Sequence, residues 1–162
     1  MNATFWNYFV SYETDISVAL ERLREDVFVR GDYKCSVETR APALVAHAGS
    51  SSYQAESESR VRDFPPRSIG ELLNRQGRNG THSILDITSL FPRPRPGAIS
   101  PFPQSKLFEL FGTDTPGREE IEEAWTLGKI QICLSRRGQG ICLIAYRDGH
   151  PEEIFFAGCS GG

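Results

Sequence analysis

The sequence predicts an α+β fold: a small, mainly antiparallel sheet made of an N-terminal strand, a central strand and a C-terminal β-hairpin, with helices packed on one face. Three observations predict it. Residues 4–12 are dense in aromatic and β-branched side chains, the composition of a strand. Ile16, Ala19, Leu20, Leu23, Val27 and Phe28 fall on one stripe at helical spacing. Two apolar runs, 141–146 and 153–157, flank Arg147-Asp-Gly-His150, and Asp-Gly is the chemistry of a tight hairpin turn.

The N-terminal strand alternates Phe5, Asn7, Phe9 and Ser11 with Trp6, Tyr8, Val10 and Tyr12, so both of its faces are expected to be at least half covered. Thr14 or Asp15 can cap the helix that follows, and Gly31 supplies its stop. Residues 36–67 change character: serines cluster and large apolar residues thin out, as in a polar insertion or loop. Ser68-Ile-Gly-Glu71 reads as a capping box opening a helix over 69–76. Residues 82–87 read as the central strand. Five prolines at 92, 94, 96, 101 and 103 then mark 91–103 as an extended connector without regular structure.

Residues 104–111 read as a short helix burying Leu107, Phe108, Leu110 and Phe111, closed by Gly112. Thr115-Pro116 reads as a cap with proline at the first helical position, followed by a helix to at least residue 127. Beyond it the pattern forks, because 129–134 fits a continued helix or a strand. The whole chain, 1–162, is expected to form one domain; 162 residues with 39% hydrophobic side chains suffice for a core.

Charge narrows the function classes. Net charge is −3, against general nucleic-acid binding. It is segregated along the chain: 60–95 carries seven arginines against Asp63, Glu71 and Asp86, a net +4 that leaves −7 for the rest. No stretch has the apolar length of a membrane helix, and residues 1–12 lack the charged start of a signal peptide. Cys35, Cys133, Cys142 and Cys159 form no C-x-x-C pair and no zinc spacing. Reduced thiols in a cytoplasm are therefore expected, with no metal and no cofactor.

Candidate chemistry is sparse. As catalytic candidates, His82 and Asp86 lie four apart, about 13 Å along a strand, too far for a direct pair. His150 stands in the Asp148-Gly-His150 segment, where a turn is the simpler reading. Arg136-Arg137-Gly138-Gln139-Gly140 is the most suggestive ligand-binding segment: two guanidiniums can grip phosphate or carboxylate while glycine backbone approaches it. If Arg137-Gly138 turns a hairpin, Cys133 faces Cys142. Arg93, Pro94, Arg95 and Pro96 resemble a proline-rich partner-binding segment.

The expectation is a non-catalytic protein-interaction module of regulatory or immunity type. The alternative is an enzyme or sensor of a small anionic ligand held by Arg136, Arg137 and the Gly138–Gly140 backbone. Nucleic-acid binding through 60–95 ranks third.

Overall fold

A computed structural model describes residues 3–34, 65–134 and 136–160; the insertion expected at 36–67 lies, up to residue 64, outside them. The chain runs β1 (Thr4–Ser11), α1 (Ile16–Arg30), α2 (Ile69–Gln76), β2 (Ser89–Leu90), β3 (Ala98–Pro101), α3 (Gln104–Phe111), α4 (Arg118–Thr126), β4 (Gln139–Arg147) and β5 (His150–Ser160), with 3-10 turns at Gly77–Asn79, Ile84–Asp86 and Gln131–Cys133.

The five strands form one sheet in the order β1-β5-β4-β3-β2. β5 pairs antiparallel with β1 and β4, while β3 pairs parallel with β4 and β2. The sheet is therefore mixed rather than mainly antiparallel. Parallel neighbours need a long crossover, and the excursion through α3 and α4 supplies one: β3 ends at Pro101, and the chain returns to the end where β3 began, setting Gln139 beside Ala98.

Helices cover both faces of the sheet, not one. Trp6, Ile99, Cys142, Ile154 and Phe156 pack with α1, Leu72 of α2 and Ile84, Leu85 and Ile87. Ile141, Leu143, Ala145, Phe155, Ala157 and Cys159 pack with Ile121 and Ala124 of α4, Ile130 and Leu134, and the α3 side chains Leu107, Leu110 and Phe111. The unbroken apolar run Ile154-Phe-Phe-Ala157 is the mark of a strand buried on both sides. Phe155 and Phe156 are fully buried on opposite faces, and each contributes about 1.5–3 kcal/mol by leaving water.

Local signals place most helix ends. Asp15 caps α1 by accepting from the Ser17 N–H at 2.9 Å, and Gly31 closes it. Ser68 Oγ accepts from the Glu71 N–H at 3.1 Å, while the Glu71 carboxylate receives the N–H of Arg67 rather than that of Ser68. α4 begins after Gly117 rather than after Thr115, with the Glu120 carboxylate accepting from the Gly117 N–H at 2.8 Å. Phe108 of α3 is half exposed rather than buried.

Three strand expectations are corrected. Residues 82–87 hold a 3-10 turn, nucleated when Ser83 Oγ accepts from the Leu85 N–H at 3.2 Å, and the strand lies further on at Ser89–Leu90. The proline-rich stretch is not wholly irregular: 91–97 is a loop, but Ala98–Pro101 is the strand β3, with its proline as the last residue. Residues 129–134 continue neither as helix nor as strand; α4 stops at Thr126 and a 3-10 turn occupies Gln131–Cys133. Cys142 accordingly pairs in register with Phe156 and Pro101, not with Cys133.

β4 and β5 are joined through Asp148 and Gly149, both at positive φ (50° and 77°), the backbone of a type I′ turn. The register shifts between Ala145 and Tyr146, where the Tyr146 N–H leaves the ladder for the carbonyl of Pro116 at 2.9 Å.

Candidate functional site

The end of the sheet where β3 and β4 begin and β5 ends gathers most of the candidate residues. Register fixes this, since Ala98 lies beside Gln139, Gln139 beside Cys159, and Ser160 beside Thr4. Just outside it, two loops are tied together. The Gly97 N–H donates to the Gly138 carbonyl at 2.7 Å, and the Gly138 N–H donates to the Cys159 carbonyl at 2.6 Å. Gly138 adopts φ 75° at this junction, against the backbone of Pro96 and Gly97. The loop bearing Arg93, Pro94, Arg95 and Pro96 is thereby joined to the loop bearing Arg136 and Arg137.

Beside that junction lies a cleft of about 430 Å³, lined by Arg78, Gly80, Asp86, Arg137, Gly138 and Ser160 among others. Its floor is a polar network. Asp86 accepts from the Thr81 N–H (2.6 Å), the Thr81 hydroxyl (2.9 Å), the His82 N–H (3.1 Å) and the Ser160 hydroxyl (2.9 Å). Ser160 Oγ in turn accepts from the Trp6 indole N–H at 3.0 Å. Gly80, at φ 67°, lets the chain pass so close that a Cβ there would sit 3.0 Å from the Asp86 carboxylate.

This geometry places the predicted residues relative to one another. Asp86 ties three segments together, and both carboxylate oxygens are engaged by donors. These bonds make it a structural hub at the floor of the cleft. His82 contributes its backbone to that hub, at φ 54°; its Nδ1 is buried without a partner among the described residues, and it is not among the cleft-lining residues. His150 begins β5 while Ser160 ends it, about 33 Å apart at strand rise, so His150 belongs to no common site with them.

The glycine cradle is also corrected. Gly138 spends its N–H on Cys159, and Gly140 is buried in β4 under Ile99 and the Trp6 ring. Arg137 is close enough to Cys159 to oppose the upward push that burial exerts on that thiol.

Arg95 stacks on Phe91, its guanidinium carbon 4.0 Å from the ring centre, and donates to Ser89 Oγ at 3.4 Å. Arg93 and Arg136 are exposed. Among the described residues, none of Arg78, Arg93, Arg95 and Arg136 forms an ion pair. The opposite end of the sheet differs: Arg118 pairs with Glu122 and Glu153, Arg147 with Glu152 and Arg22 with Glu13.

Arg78, Gly80 and Ser160 were not singled out from the sequence. Arg78 carried a readable signal, because Gly77-Arg-Asn-Gly80 presents arginine in a glycine-flanked turn much as Arg137-Gly138 does. Ser160 carried none, since only the β1–β5 register brings it to Trp6 and Asp86.

Among the described residues no three His, Cys, Asp or Glu side chains gather as a metal-binding group, and no helix is long and apolar enough to cross a membrane. Comparison of the chain with family models, curated proteins and solved structures finds no match.

Proposed function

We propose that this protein is a non-catalytic docking module that recognises a carboxylate-rich surface of another protein through its arginine-bearing sheet end. One observation carries the reading: Arg93, Arg95 and Arg136 stand at one end of the sheet on loops locked together at Gly138, with Arg78 on the cleft beside that junction, and none of the four forms an ion pair among the described residues. Arginines elsewhere, such as Arg30, Arg75, Arg118 and Arg147, are matched with acids. Guanidinium is weakly hydrated and binds carboxylate bidentately, so it suits an interface better than ammonium does. Asp86, committed to four donors, supports a binding role over a catalytic one.

A second reading, a small anionic ligand, is favoured by the cleft itself, which places Arg78 and Arg137 around about 430 Å³.

Titration with a fluorescent Glu/Asp-rich peptide, with inorganic pyrophosphate and with a DNA oligonucleotide separates these readings. The docking reading expects peptide binding that Arg93→Glu/Arg95→Glu and Arg136→Glu each weaken at least tenfold. Pyrophosphate binding lost in Arg78→Ala, with no peptide binding, replaces it by the small-ligand reading. Tight oligonucleotide binding with a steep salt slope replaces both. Absence of all three at low salt overturns the assignment of this end as an anion-recognising surface.

A further inference from the structure

We propose that β1 is a self-association edge, joining two copies of this chain through antiparallel β1–β1 pairing into one continuous sheet. The two edges of the sheet differ. β2 has two residues and is followed within two positions by Pro92, devices that blunt an edge against pairing. β1 has eight residues in unbroken register with β5 and contains no proline, no lysine and no charge of either sign.

Its outward hydrogen-bonding groups can be identified. The Tyr12 N–H donates to the Glu152 carbonyl at 2.9 Å, extending by one residue the register that sets Ser11 opposite Glu153. Hydrogen-bonded pairs alternate in an antiparallel ladder, so Thr4, Trp6, Tyr8 and Val10 bond to β5. The N–H and C=O groups of Phe5, Asn7, Phe9 and Ser11 therefore face away from the sheet. Among the described residues no group bonds to them on that side. Asn7 is exposed and Phe5 is 42% exposed.

The sequence of the strand selects the occupant. Thr4-Phe-Trp-Asn-Tyr-Phe-Val10 is symmetric in side-chain class about Asn7: a β-branched residue at each end, then phenylalanine, then a large aromatic, with asparagine at the centre. A twofold axis through Asn7 sets Asn7 opposite its own copy, Phe5 opposite Phe9, Trp6 opposite Tyr8 and Thr4 opposite Val10. Asn7 is one of the outward-bonding residues, so this register also makes the central pair a hydrogen-bonded one. Cross-strand aromatic pairs stabilise a sheet, and like charges directly opposite each other destabilise it. The self-pairing contains four aromatic pairs and no charge. It is the isologous arrangement that a twofold dimer requires.

Sedimentation velocity across a concentration series tests this, together with Asn7→Lys and Asn7→Glu. The substitutions fall at an exposed position, and each opposes two like charges on the axis. The wild type is expected to reach twice the mass of the chain, each variant alone to remain monomeric, and a 1:1 mixture of the two variants to recover the dimer. Hydrogen exchange gives an independent readout: amides of Phe5, Asn7 and Phe9 should become protected as concentration rises. A wild type that stays monomeric throughout, or a dimer that Asn7→Lys leaves intact, overturns the proposal, as do outward amides that exchange fast at every concentration.

Discussion

Trp6 lies across two glycines on neighbouring strands. Gly158 is its register partner on β5, Gly140 sits opposite Gly158 on β4, and a Cβ on Gly158 would fall well inside van der Waals contact with the indole. The ring needs that trough to reach Ser160, and through Ser160 it reaches Asp86. Gly158→Ala should therefore cost about 1–3 kcal/mol through overpacking, read as a shift in the denaturant midpoint with an unchanged slope. In a Trp6→Leu background the same substitution should cost clearly less, because the ring it strikes is gone. Equal costs in the two backgrounds would mean that the glycine is needed for something other than the indole.

At the scale of elements, α2 tests how much a short helix depends on its cap. Ser68 Oγ satisfies one of the orphan N–H groups at its start, and few other bonds hold a helix of eight residues in place. Ser68→Ala should cost about 1 kcal/mol. Because α2 leads directly into the Gly77–Asn79 turn, fraying should reach Arg78 and raise hydrogen exchange through residues 69–80 more than in β4 or β5. Uniform acceleration across the molecule would instead mark α2 as part of the global folding unit. Cap residues are legible because they act on their own chain neighbours. The start of α4 was misplaced for the opposite reason: Thr115-Pro116 satisfies the local rule, but Pro116 is committed to Tyr146 of β4, and the helix begins after Gly117.

Across the whole molecule, Cys142 reports on global opening. It sits in mid-sheet between Phe156 and Pro101, and burial pushes its thiol up to about 12. The unfolded thiol ionises near 8.5. The folded state therefore holds a proton that the unfolded state loses between those values, so stability falls as pH rises above about 8.5. Cys142→Ala should flatten that alkaline limb of the denaturation midpoint. Site-resolved thiol labelling should show Cys142 reacting only as fast as the protein unfolds, and labelling that outpaces unfolding would place the residue in a locally mobile strand.

Local order was readable in the sequence because its causes are local: the stripe of α1, the caps Asp15 and Ser68, the glycine stops after α1 and α3, and the strand character of β1, β4 and β5. The α+β class follows from those elements. Tertiary structure alone decided the remainder. The unbroken apolar run of β5 is that of a strand buried on both faces, but which elements cover each face is decided only by the placement of α3 and α4 opposite α1. Ala98–Pro101 is a strand because β4 and β2 pair with its backbone, despite the surrounding prolines. The candidate site is divided in the same way. Arg136, Arg137 and the proline-flanked arginines announce themselves by composition, whereas their convergence depends on Gly138 bonding at once to Gly97 and Cys159. Asp86 becomes a hub only when the β1–β5 register delivers Ser160 to it, a juxtaposition across 74 residues that no short-range pattern encodes.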